Sequence, residues 1–543
     1  MMNIYKVLVL MIILVLIKLL SYGQSGLLKA GENIAVVPTK YGKVRGYIDE
    51  GIFAFKGIPY AKADRFMPPQ APKKWDDVRQ CTIFGPQAMQ AKAQSWQGQS
   101  DENLGFQFNV EPMDEKECFV LNVWSQGIND GRKRPVWVWI HGGGFAGGSA
   151  NQLSCFDGRS MASKGDIVVV SVNHRLNLPG YLDLRGLGGK YSESVNLGMQ
   201  DLVVALQWVK DNIANFGGDP NTVTINGQSG GGGKVCTLLA MPSVVGLFQR
   251  AIIQSGSLEF EMTSENSKKY GLAVAAVLGV TPGNTDKLND FTYDELMEAG
   301  EVAANILGSE GSSIMGRYCP TVDGKYVTQN PLDKTIPEFS KNVSVLLGSN
   351  LNEFTYPNRA IITPKTMDEV RSRLVKLYGD EGAEEFIALY SEVFPDDKQP
   401  HQMLTFDGRL RGAAIIQATS RSEQGNAPVY TYLFSWQSPV NDGSLGAAHG
   451  MELPFMFNNI ALQRPLTGGG KDAYELADKI SSAWISFVKT GDPNCKELPK
   501  WQAFKLDSGA TMIFDNKCEV VYNHDKKLIG FMNSYSLQLF GSR

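Results

Sequence analysis

Two glycine-rich stretches carry groups suited to acyl-transfer chemistry. In GQSGG, residues 227–231, Ser229 stands with a glycine two positions to either side. It follows the alternating segment TVTIN (222–226) and precedes the helix-like KVCTLLAMP. A serine at such a strand-turn-helix junction has its hydroxyl raised above the end of a sheet, and the glycines remove side chains that would collide in so tight a turn. The following helix adds free amides and the positive end of its dipole, both of which favour negative charge nearby. The bland alternative is a glycine-rich turn with an idle serine, and the G-x-S-x-G pattern alone does not separate the two.

A serine hydroxyl is a poor nucleophile unaided, so the chemical reading demands a base, an acid to orient it and donors for an oxyanion. PVWVWIHGGG supplies the donors: an apolar run delivers His141 and then three glycines, Gly142 to Gly144. The amides of Gly143 and Gly144, with that of Gly230, suit a developing alkoxide. The chain has five histidines. His141 lies in the glycine loop, His174 in NHRL upstream of the serine, and His401 and His524 in polar surroundings. That leaves His449, in GSLGAAHGMELPF, as the base. The acid is expected between serine and histidine. Glu353 ends the strand-like VSVLLGSNLNEF, where a carboxylate can reach over a sheet end, whereas Asp323 sits in the turn sequence PTVDGKY. Glu353 is therefore preferred to Asp323.

Such residues must be held by a sheet, and the chain alternates strand-like with helix-like runs. The clearest strands are residues 135–140, 166–173, 222–226, 250–256, 343–349, 428–436 and 511–515, and residues 196–218 read as an amphipathic helix ended by glycine. This is the α/β pattern of a mostly parallel sheet with helices on both faces and inserted loops. No repeat or linker divides it, so one domain over 24–543 is expected. At 543 residues, 43% hydrophobic and 20% charged, the chain can bury a large core. Its net charge of -4 offers nucleic acid no basic field.

Lys6 followed by an apolar run from Val7 to Ile17 and then SYGQ has the form of a signal peptide cleaved before Gln24. The run is too short to span a bilayer, so the mature protein is expected to be exported, secreted or periplasmic, with no stable membrane insertion. A retained signal anchor is the alternative. Seven cysteines do not make a disulfide scaffold. Cys81 and Cys118, which bracket residues 82–117, are the favoured pair, with two buried thiols as the alternative. No spacing suggests a metal site, and no cofactor is expected.

Several blocks, in order, resemble the type-B carboxylesterases of the α/β-hydrolase fold, a family that includes cholinesterases and many bacterial esterases. They include FKGIPYAKA, DEKECFVLNVW, HGGGF, NHRLNLPGYL, the stretch from QDLVV to GQSGG, FQRAIIQSGS, GSNLNEF, AAHGMELPFMF and KTGDPN. The resemblance implies a carboxylic ester hydrolase acting on small-molecule esters, with the base in the His449 block and Glu353 at the family's glutamate position. The family's common elbow is GESAG, and here Gln228 and Gly230 replace its glutamate and alanine. Losing that acidic neighbour weakens the case for a cationic substrate such as choline. Cys81 also precedes the usual partner of the DEKEC cysteine by several residues, and the aromatic that would mark a cholinergic site is not assigned to Trp96. A lipase or a feruloyl-type esterase is the alternative activity. A binding or storage protein that keeps this fold and loses the triad is the non-enzymatic alternative, and the presence of Ser229, Glu353 and His449 argues against it.

Overall fold

The computed structural model describes residues 27–540 except 92–108, 110–111, 259, 261, 309–316, 354–365 and 396–399. The signal segment and Trp96 lie outside the described residues. Eleven strands form one sheet: β1 (Tyr47–Asp49), β2 (Ile52–Pro59), β3 (Val120–Ser125), β4 (Arg134–Ile140), β5 (Val168–Val172), β6 (Gly218–Gln228), β7 (Arg250–Gln254), β8 (Ser344–Asn350), β9 (Val429–Phe434), β10 (Ala510–Phe514) and β11 (Glu519–Tyr522). Across the sheet they run β11, β10, β9, β8, β7, β6, β4, β5, β3, β2, β1. Neighbours from β10 through to β5 are parallel, and β1 to β3 at one edge and β11 at the other are antiparallel.

The parallel strands are apolar on both faces because both are covered. In β4, Val136, Val138 and Ile140 join a core that includes residues of α1 (Leu197–Asn212), α2 (Gly230–Leu238) and α3 (Gly408–Gln424). Trp137 and Trp139 of the same strand join the opposite core, with residues of α4 (Lys471–Thr490). Helix α1 begins and ends as its periodicity suggests, passing into a 3₁₀ turn, Ile213–Phe216, and stopping at Gly217 with φ 79°. That left-handed conformation suits glycine at a helix end.

The expected disulfide does not form: Cys81 and Cys118 are separate buried thiols. The carbonyl of Cys81 accepts from the Lys56 amide, while that of Phe119, next to Cys118, accepts from Tyr60. These two contacts fall on either side of Gly57, whose φ of 69° marks an irregularity in β2. Burial pushes the Cys81 thiol up to about 12, so it stays protonated and inert.

Candidate active site

Strands β4, β6 and β8 end at the same edge of the sheet, and the three groups singled out above arrive there. Ser229 follows β6 directly, with φ 58° and ψ -129°, a conformation most side chains avoid. The turn is fixed by its amide donating to the Gln254 carbonyl at 2.8 Å and by its carbonyl accepting from Gly233 at 3.0 Å. The surrounding glycines are required by contact as well as by conformation. A Cβ on Gly227 would lie 2.2 Å from the Gly231 carbonyl carbon, and one on Gly230 would lie 2.1 Å from the Gly144 oxygen. The elbow and the glycine loop after β4 are thus packed backbone against backbone.

In that loop Gly143 and Gly144 have φ of 86° and 61°. Their amides donate to nothing among the described residues. Gly230, as first residue of α2, has no carbonyl of its own helix four residues back. Free amides therefore converge beside Ser229, whose Cβ would be 3.4 Å from a Cβ on Gly142.

Glu353 follows β8 and is fully buried. Its Oε1 accepts from the Asn350 amide at 2.7 Å, and its Oε2 lies 2.5 Å from Nδ1 of His449. The two loops are pinned by the His449 amide donating to the Glu353 carbonyl at 3.1 Å and by Asn352 bonding both ways to Ala447. Nε2 of His449 faces the elbow, where the Gln228 side-chain amide stands at 3.3 Å. An amide that donates to Nε2 leaves the ring proton on Nδ1, facing the carboxylate. Burial lowers the His449 pKa, but the charge and hydrogen bond of Glu353, with Glu452 and Asp407 beyond, outweigh it and hold it above the usual histidine value.

The other candidates lie elsewhere. Asp323 accepts from the side chain of Asn196 and from the amides of Lys325 and Tyr326, so it builds a turn. His401 is buried and His524 partly buried, so neither stands at the open surface their polar surroundings suggest. His141 and His174 stack with ring centroids 4.9 Å apart behind the glycine loop.

The chain belongs to the carboxylesterase family, whose model matches residues 33–529. It is 34% identical to a para-nitrobenzyl esterase of Bacillus subtilis (strain 168) over 496 residues, covering 89% of this chain and 96% of that protein. A phenmedipham hydrolase of Pseudarthrobacter oxydans is 30% identical, covering 88% and 94%. Among solved structures, an esterase from anaerobic Clostridium hathewayi that can hydrolyze aliphatic aromatic polyesters superposes with a TM-score of 0.84 at 34% identity, covering 93% of this chain and 99% of that one. The architecture is the α/β-hydrolase fold, and the protein is a carboxylic ester hydrolase.

One site residue of this carboxylesterase escaped the sequence reading. Glu452 is buried, accepting from Asn350 Nδ2 at 2.7 Å and from Gln254 Nε2 at 3.3 Å. Burial and the nearby charge of Glu353 push it up to about 7. Its one signal was position, three residues after His449 on the turn that leads into Leu453–Met456. Asn350 thus holds both carboxylates, and Gln254 continues the network through Asn226 to the Trp137 ring nitrogen.

Proposed function

We propose that the protein hydrolyses carboxylic esters through an acyl-enzyme on Ser229. Ser229 Oγ attacks the ester carbonyl while His449 Nε2 takes its proton, and Glu353 stabilises the imidazolium. The amides of Gly143, Gly144 and Gly230 receive the oxyanion. His449 returns the proton to the departing alcohol, and water repeats the sequence on the acyl group. The observation that carries this reading is the pairing of His449 Nδ1 with buried Glu353 while Nε2 faces the strained elbow.

Neutral small-molecule esters fit best, since Gln228 brings no charge to the site, and the likeness to a para-nitrobenzyl esterase supports aryl and benzyl esters. The sequence of residues 1–23 supports export, and the continuous sheet supports one domain after it. No described helix is long and apolar enough to cross a membrane. The test is Ser229→Ala against p-nitrophenyl esters of increasing chain length and a p-nitrobenzyl ester. Turnover is expected to vanish for all of them with the fold intact, and an active variant would refute the mechanism.

A further inference from the structure

Helix α2, which follows the nucleophile elbow, carries a lysine on the face turned toward the glycine loop. Lys234 is fully buried, as are Gly230 to Leu238 around it. Its ammonium makes no ion pair among the described residues, and it is not the partner of any buried acid. Asp201, a buried acid of α1, is already bound by two nitrogens of Arg175. What Nζ does reach is the carbonyl oxygen of His141, to which it donates at 3.1 Å, and the face of Phe145, whose ring centre is 5.6 Å away. Both residues belong to the glycine loop.

The same His141 carbonyl is closed in from the helix side. A Cβ on Gly231 would fall 2.9 Å from its oxygen and 2.1 Å from that of Ile140. The peptide that leads into Gly142 is thereby held between the first turn of α2 and the lysine one turn further on. Behind it, His141 and His174 are buried, and burial with the lysine charge keeps both rings well below the usual histidine pKa, hence neutral. The guanidinium of Arg175 beside His174 is paired with Asp201, whereas the ammonium has no counter-ion among the described residues, and burial pulls it down to about 7. An unpaired buried charge costs stability that a methionine of similar length would not. Packing therefore does not account for it.

We propose that Lys234 is a positioning residue of the esterase, which fixes the glycine loop through the His141 carbonyl and sets a positive charge behind the amides that receive the oxyanion. A hydrogen bond to the carbonyl side of the loop restrains the rotation of the peptides that follow, Gly142 to Gly144, whose glycines have no side chains to restrain them. A charge in a dry pocket also acts on a negative charge that exists only while the tetrahedral species does. Both effects favour the transition state over bound substrate, so they belong in kcat more than in KM. The inference rests on the acyl-enzyme reading above.

The test is Lys234→Met, which keeps length and loses both the donor and the charge. With p-nitrophenyl butyrate, kcat is expected to fall roughly 10- to 100-fold, of the order seen when one preorganised oxyanion contact is lost, while KM stays within about twofold. Affinity for a trifluoromethyl ketone, which forms a tetrahedral oxyanion on the serine, should fall by a similar factor. The melting temperature should stay level or rise. A variant with unchanged kcat and inhibitor affinity would overturn the proposal, as would one that loses activity through KM alone. Should Lys234→Met not fold, Lys234→Leu, which also lacks the donor and the charge, carries the same comparison. A fluorophosphonate that labels Ser229 in wild type and variant separates the two readings: labelled protein with unchanged kcat defeats only the role of the lysine, whereas absence of label in wild type defeats the acyl-enzyme.

Discussion

Replacing Glu353 with glutamine reverses the sense of one hydrogen bond at the centre of the site. The native Oε1 accepts from the Asn350 amide and the native Oε2 faces His449 Nδ1. Glutamine has one acceptor oxygen, and the fixed Asn350 amide claims it. The side-chain NH₂ then points at Nδ1, which must become an acceptor, so the ring proton moves to Nε2. An imidazole protonated at Nε2 cannot take a proton from Ser229, and the charge that stabilises the imidazolium is gone as well. Loss of tautomer and charge in a triad lowers kcat by about 10³ to 10⁴, or about 4 to 5.5 kcal/mol of transition-state stabilisation. The pH profile carries a second signature. Burial alone lowers the His449 pKa, and Glu353 is the foremost of the groups that raise it, so the residual activity should keep its plateau to a lower pH than wild type. The assay is p-nitrophenyl butyrate hydrolysis from pH 5 to 9, with circular dichroism as a check on folding. A folded Glu353→Gln variant whose kcat lies within about threefold of wild type would refute the reasoning.

In wild type, kcat/KM should rise with pH through an apparent pKa above 6.5, because the folded site holds His449 above that value and only the neutral ring is a base; a rate flat from pH 5 to 9 contradicts an imidazole base. Asp323→Asn should cost stability of the order of 1 kcal/mol by weakening a turn and leave kcat nearly unchanged, and a large kcat loss in a stable variant would reassign the acid. Glu452→Gln should move the acid limb to lower pH and destabilise by about 1 to 3 kcal/mol, since one of two buried donors then meets an NH₂ group; an acid limb moved upward would show that its charge does not reach His449. The unfolded protein, never exposed to reductant, should titrate as seven thiols with Ellman's reagent, and five would restore the Cys81–Cys118 bond.

The seven strands legible in the sequence are the seven parallel ones, β4 to β10, because strands covered on both faces read as continuous apolar runs. The four of this sheet that were missed are the antiparallel ones, β1, β2, β3 and β11, and three short strands of a separate small sheet, Val36–Pro38, Lys43–Arg45 and Arg79–Gln80, were missed with them. β3 is buried throughout, yet Asn122 interrupts its pattern, a polar residue kept there because it accepts from the Gly57 amide and donates to Ser171. The elbow and the glycine loop were legible because their backbone conformations exclude side chains, and that requirement is written as glycine. Glu452 was not legible, because nothing local distinguishes a buried glutamate from a surface one; its burial depends on Asn350 and Gln254, about 100 and 200 residues away in the chain. The Cys81–Cys118 expectation failed for the same reason, since spacing along the chain says nothing of where each thiol is buried.

The central claim is that Ser229 carries the acyl group, and it is tested most directly by trapping. The enzyme is incubated with a fluorophosphonate, digested and mapped by mass spectrometry, with Glu353→Gln treated alongside. The account predicts one adduct per chain, on Ser229 in the peptide spanning GQSGG, formed rapidly in wild type and slowly in the variant. An adduct on any other residue, or ester turnover that persists in fully labelled protein, would contradict it.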